Sequence, residues 1–315
     1  MIKTLLSQAF LIGLFAGTIR MAAPILFASL GEIFAQRSGV LNLGLEGMMV
    51  VGAFTGFAGA YYTGNPWLGV VSGMAGGGLW GLLMAFMSVT LRANQTITGI
   101  MIVLTAGGLV TFLNQTVFGG SYIPPRAAAF KALNIPLLSQ IPILGPILFQ
   151  QNILVYVAFL LVPVSALVLF RTTLGLKITA VGENPRAADA LGVNVYAIRY
   201  LCVVLDGIMA GLGGTFLTLG YMNMFTDWIT AGRGWIAISL VIFGRWNPYG
   251  ALGGALLFGG VNALQLRFQT VGVAVPYQFA LMLPYLLTII VLVSVSGKAA
   301  GSPAALCVPY VREEV

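Results

Sequence analysis

The apolar positions of this chain fall in long unbroken blocks. No Asp, Glu, Lys or Arg occurs within 93–125, 132–170, 207–226 or 268–297. A helix needs about 20 mostly apolar residues to cross a bilayer. Backbone polar groups in lipid must be satisfied within the segment, so such blocks read as helices. The short alternating segments of a membrane β-barrel are not seen. The blocks predict spans near 5–29, 38–61, 67–91, 96–118, 151–170, 200–221, 234–244, 249–266 and 276–296. The block at 234–244 is too short to cross alone and reads as a broken or re-entrant helix, tolerated where it lines a cavity. The first 37 residues fit either one helix broken at Pro24 or two short segments with Arg20 between them. The expected fold is all-α: a polytopic transmembrane bundle of about eight to ten spans, forming one membrane domain over 1–315.

Composition closes off the alternatives. Of 315 residues, 59% are hydrophobic and 7% charged. A soluble surface carries about 25% charge. There is no histidine, which excludes His-ligated metal and removes the commonest acid–base residue. Cys202 and Cys307 have neither disulfide nor metal spacing. No metal site is therefore expected, and no nucleophile–base pair stands out. The first 30 residues lack a small-residue cleavage site and are expected to stay in the mature chain. Glycine-rich runs at 73–81 and 250–260 suit close helix packing, or helices that slide.

The net charge of +7 reads as topology rather than nucleic-acid binding. Arg171, Lys177, Arg186 and Arg199 place 171–199 in the cytoplasm. Arg92, Arg245, Lys298 and Arg312 then fall on the same side, and the C-terminus with them. Arg126, Lys131, Arg233 and Arg267 fall outside, with the proline-rich loop 119–150, a stiff connector or a docking surface. Asn-Pro pairs at 65–66 and 247–248 each precede a small-residue helix.

One polar insert interrupts the pattern. ENPRAADALG, 183–192, has the marks of a short capped helix. Asn184 suits the N-cap, Pro185 the first turn, the alanines the interior and Gly192 the left-handed C′ position. So short a helix is marginal alone in water. It must pack on its own domain, or offer Ala187, Ala188 and Leu191 to a partner's groove.

The segment TTLGLKITAVGENPRAADALGVNV (172–195) resembles the cytoplasmic loop of permease subunits of bacterial ABC importers, in the branch handling ribose-like sugars, branched-chain amino acids and nucleosides. SGVLNLGLEGMMVVGAF (38–54) and GRGWIAISLVIFGRWNPYGALGGALLFG (232–259) resemble that family's early and late motifs, in order. The wording ENPRAA, LGLEGMM and FGRWNP is most similar to nucleoside permeases served by Bmp-type receptor lipoproteins. The resemblance implies a coupling helix that docks on a separate ATPase, carried here by Gly182, Glu183, Asn184, Pro185, Ala187, Ala188, Leu191 and Gly192. It implies ATPase subunits, a second, related but non-identical permease, and an extracytoplasmic binding lipoprotein as partners, in a bacterial plasma membrane. No cofactor is expected on this chain: ATP and magnesium would sit on the ATPase, and no G-x-x-x-x-G-K-[ST] loop occurs here.

Polar residues inside apolar blocks are expensive and mark partners or tasks. Asn42, Glu46, Gln95, Asn114, Asn223 and Asn262 are the candidates for a substrate path. Glu46 either pairs with Arg37, caps a helix, or lines the path; Asn42 shares its face if one helix holds both. Asp206 is expected to pair with Arg199. Trp67, Trp80, Trp228, Trp235 and Trp246 read mostly as interfacial belt residues, with nucleobase stacking as the other use. No dense basic cluster lies in the spans, which argues against a phosphorylated substrate and favours a neutral polar solute; the resemblance implies a nucleoside first, with a ribose-like sugar second. A stand-alone secondary transporter would need an intramembrane ion site, and carboxylates there are sparse.

Overall fold

A computed structural model gives the architecture. It describes residues 8–119, 125–136, 138–271 and 301–312, with the single positions 282, 286, 289, 290 and 293. The expected span at 276–296 lies, apart from those positions, outside the described residues. Among the described residues the regular elements are all helices: α1 (Gln8–Arg37), α2 (Leu45–Thr63), α3 (Pro66–Ala85), α4 (Gln95–Phe118), α5 (Leu144–Leu148), α6 (Ile153–Arg171), α7 (Thr173–Glu183), α8 (Pro185–Ala190), α9 (Val195–Thr215), α10 (Arg233–Phe243) and α11 (Pro248–Val271). Wide π turns extend α3 through Phe86–Thr90 and α9 through Phe216–Met222. Five of these helices, counting the π extensions, are long and apolar enough to cross a membrane: Gln8–Arg37, Pro66–Thr90, Gln95–Phe118, Ile153–Arg171 and Val195–Met222. The chain is a multi-pass membrane protein.

Asparagine sets many of the helix starts. The side chains of Asn65, Asn94, Asn152, Asn184 and Asn194 each accept from a backbone N–H in the first turn that follows. Each satisfies a donor that the helix leaves orphaned. Asn247 does the same for Tyr249 ahead of α11, so both Asn-Pro pairs act as helix starts. α1 runs unbroken from Gln8 to Arg37 through Arg20 and Pro24, so it is one helix rather than two segments, and the expected break at Pro24 does not occur.

Lipid tails are as apolar as leucine, so helix association rests on close packing and buried hydrogen bonds. α9 is the most enclosed span, with 72% of its apolar window buried. It lies antiparallel to α3 with backbone against backbone. A Cβ on Gly77 would sit 2.2 Å from the Gly207 carbonyl, and one on Gly211 2.3 Å from that of Gly73. The loop after α4 folds onto the C-terminal end of α9, with Phe130 N–H bonding the Leu219 carbonyl at 2.9 Å. At the opposite end, residues 301–312 pack against 182–199 and the end of α1.

Candidate functional site

Three arrangements organise the polar residues. The first is the insert at 183–192. α8 carries the caps its letters promised: Asn184 Oδ1 accepts from Ala187 N–H at 3.1 Å. At the other end Gly192, at φ +81°, donates to the Asp189 carbonyl while Val193 N–H reaches that of Ala188. That pair of bonds is a Schellman closure. Ala188 is buried against the chain's own core, so it is not part of an outward face with Ala187 and Leu191 as the sequence reading had it. The burial period simply turns it inward. Ala187 is exposed, and Leu191 is 86% exposed. Gly182 has no room for a side chain, because a Cβ would meet the Arg37 carbonyl at 2.0 Å. Glu183 accepts from Ala304 N–H, Tyr310 Oη donates to Asp189 Oδ2 at 2.8 Å, and Arg312 pairs with the same oxygen at 3.2 Å. The C-terminal segment thus straps the short helix to the bundle. Beside it, partial burial holds the Cys307 thiol above its ordinary pKa.

The second arrangement is a buried polar knot. Residues 38–44 do not continue α2 downward; they tuck into the bundle. Asn42 therefore lies outside the helix that holds Glu46, and the expected common face does not form. Instead, Asn42 N–H donates to Glu32 Oε1 (3.2 Å) and its Nδ2 to Asp206 Oδ2 (2.6 Å). Glu32 also accepts from Gln36 Nε2, and Gln36 Oε1 accepts from Trp246 Nε1, both at 2.7 Å. Trp246 is buried here, not in an interfacial belt. Asp206 does not pair with Arg199. Seven residues of helix separate them by about 10 Å along the axis, beyond ion-pair reach. Arg199 bonds the carbonyls of Ser38 and Val308 instead. Gln95 is likewise structural, its Oε1 accepting from Leu41 N–H at 2.9 Å.

The third arrangement centres on Glu46 and α10. Arg37 is not its partner, since that guanidinium donates to the Trp246 carbonyl and lies over the Phe170 ring. The Glu46 carboxylate caps a helix from another part of the chain. Oε1 accepts from Thr230 Oγ1 (2.5 Å) and Gly232 N–H (2.9 Å), and Oε2 from Gly234 N–H (2.6 Å). The two N–H groups are orphan donors of α10, at the positive end of its dipole. α10 is the short helix expected at 234–244, and the segment 223–232 leads into it. Asn223, Trp228 and Ala231 in that segment all have positive φ, at 59°, 62° and 46°. For residues with a Cβ such backbone costs about 1–2 kcal/mol each, and it gathers where function requires it.

Between this segment and α4 lies a small, partly enclosed cleft of about 20 Å³ whose lining includes Glu46, Gly107, Thr111, Asp227 and Trp228. Asn114 Nδ2 donates to Asp227 Oδ1 at 3.3 Å, and Trp228 is 72% exposed. Of the six path candidates, Glu46 lines this cleft and Asn114 touches it only through its bond to Asp227. Asn42 and Gln95 are sequestered in structural bonds, Asn223 closes the π turn, and Asn262 donates to the Phe258 carbonyl one turn back. Sequence reasoning passed over Asp227 as a site residue and gave Trp228 only a general role. Their signal was a charge and a ring directly before a helix too short to span. Among the described residues no group of three or more His, Cys, Asp or Glu is placed to hold a metal.

Comparison with known proteins gives the arrangement its context. Residues 14–292 match the family model described as branched-chain amino acid transport system / permease component. The chain is 38% identical to the guanosine ABC transporter permease protein NupQ of Bacillus subtilis, covering 94% of this chain and 95% of the relative. It is 38% identical to the nucleoside ABC transporter permease protein NupC of Lactococcus lactis, covering 95% and 96%. It is 39% identical to the putative glucose ABC transporter permease protein TsgC13 of Haloferax volcanii, covering 97% and 99%. No solved structure is significantly similar. A polytopic helical chain that matches over nearly its whole length belongs to this family of membrane transport permease components.

Proposed function

We propose that the protein is one of two permease subunits of an ATP-driven importer, and that the solute is a neutral nucleoside. The observation that carries the substrate class is the near full-length similarity to permeases named for guanosine and nucleosides. The dependence on ATP is supported by α8: a water-facing, fully capped helix with an exposed leucine at its end suits insertion into a partner's groove. In this reading 171–199 and the C-terminus face the cytoplasm, ATP and magnesium bind the separate ATPase, and a receptor lipoprotein delivers solute to the outer side. A second, non-identical permease completes the path; Bacillus subtilis has two guanosine permease proteins similar to this chain, NupQ and NupP.

The bonds also suggest how force would travel. Gly182 is packed on the Arg37 carbonyl, Arg37 Nε donates to the Trp246 carbonyl at 2.8 Å, and Trp246 follows α10. A displacement of α8 by the ATPase would reach α10 through these contacts, and through α10 the Glu46 cap. The ATPase must bind the two states with different affinity for this to shift their populations.

Sugar transport is the second reading, favoured by the likeness to the glucose permease. Uptake of radiolabelled nucleosides, with ribose and glucose as competitors, in cells with and without the gene separates the two. Nucleoside uptake that vanishes with the gene and ignores both sugars supports the proposal. Loss of sugar uptake with nucleosides unaffected overturns it.

A further inference from the structure

We infer that the cleft between α4 and the 223–232 segment is one wall of the solute site, with Trp228 stacking on a nucleobase and Asp227, positioned by Asn114, accepting from ribose hydroxyls. This rests on the nucleoside reading above. Four observations converge on the cleft. It runs along a membrane span from its middle toward its C-terminal end: α4 covers Gln95–Phe118, it lines the cleft with Gly107 and Thr111, and Asn114 near its end holds Asp227. A carboxylate beside a span is costly unless it has a partner or a purpose. Trp228 stands out from the core at positive φ, with 72% of its surface exposed. Gly107 leaves the facing surface flat, since a Cβ there would meet nothing within 4 Å. The break that precedes α10 is the kind of discontinuous helix that places solute sites near the midplane of transporters.

The chemistry selects the solute. An exposed indole offers a face to any base. Asp227 accepts hydrogen bonds and repels phosphate, so the cleft suits a nucleoside and rejects a nucleotide. The Asn114 amide orients one carboxylate oxygen. At about 20 Å³ the cleft has room for little more than a water, so the second permease subunit would supply the opposite wall and the remaining space.

The test uses the whole importer, with both permeases, ATPase and receptor, in proteoliposomes. Guanosine uptake is measured together with receptor-stimulated ATP hydrolysis. Trp228→Ala should raise KM about 10- to 100-fold, the range of base stacking on an aromatic ring, while ATP hydrolysis persists. Trp228→Phe should recover most of that loss. Asp227→Asn should abolish the preference for guanosine over 2′- and 3′-deoxyguanosine. An unchanged KM in Trp228→Ala, with the wild type still transporting guanosine, overturns the site and leaves the nucleoside reading intact. If Trp228→Ala fails to assemble, Asp227→Asn decides: retained deoxynucleoside discrimination overturns the site, and its loss supports it. A wild type that takes up ribose and no nucleoside overturns both.

Discussion

Replacing Glu46 by glutamine tests whether α10 is held by a single carboxylate. The side chain is buried and accepts three hydrogen bonds, from Thr230, Gly232 and Gly234. Glutamine must present its NH2 to donors on one side or the other. It loses at least one bond outright, and the rest fall from charged to neutral strength. A hydrogen bond to a charged group contributes about 1.5–3 kcal/mol and a neutral one about 1. The loss should therefore be near 3 kcal/mol, roughly a 150-fold shift in the opening equilibrium of α10. Hydrogen exchange of the peptide covering 230–243 reads this directly, because local opening sets protection. Protection should drop by about two orders of magnitude, and transport should fall at an unchanged level of inserted protein. Glu46→Asp keeps the charge but falls short by one methylene, and should be intermediate. Wild-type protection in the glutamine variant would refute the cap. Wild-type protection with lost transport would instead make Glu46 a solute contact.

Four further substitutions probe the rest. Leu191→Arg should leave thermal stability within about 0.5 kcal/mol of wild type, as for an exposed site, yet abolish co-purification with the ATPase; retained co-purification would remove α8 from the docking surface. Ala188→Glu, by contrast, should damage the permease itself, seen as aggregation on size-exclusion chromatography. Gly211→Val should prevent folding, since even its Cβ would lie 2.3 Å from a backbone oxygen, whereas Gly253→Ala, with nothing within 4 Å, should fold normally on the same column. Maleimide should label exposed Cys307 more slowly than a free thiol at neutral pH, and faster as alkali forms the thiolate; buried Cys202 should react only after denaturation. Cys307 labelling that is as fast as a free thiol at pH 7 would contradict its environment.

Much of the fold was readable because local rules decide it. Among the described residues the pattern located the helices to within a few residues, except that α2 begins later, at Leu45 rather than 38, α9 begins earlier, at Val195 rather than near 200, α1 runs on past 29 to Arg37, and α11 runs past 266 to Val271. The letters of ENPRAADALG specified both ends of α8. What stayed hidden depends on distant pairing. Glu46 and its three donors are 184 to 188 residues apart, and nothing in the local pattern joins them. Asp206 was assigned the nearest cation along the chain, whereas its partner, Asn42, lies 164 residues away. Ala188 and Ala187 are identical letters, and only the packing of α8 on the bundle tells inward from outward.

The glycine contact between α3 and α9 carries a mechanical consequence. Where two backbones touch directly, no side chains lie between them to change rotamer, so the pair has nothing to rearrange and must travel as one beam. Any change of shape is displaced to its margins. The two helices are antiparallel, so their π turns, Phe86–Thr90 and Phe216–Met222, sit at diagonally opposite ends of that beam. The second of these leads straight into the strained segment before α10. The stiffness of the glycine seam and the compliance of its two ends are complementary parts: a chassis that transmits motion without absorbing it, and joints that give.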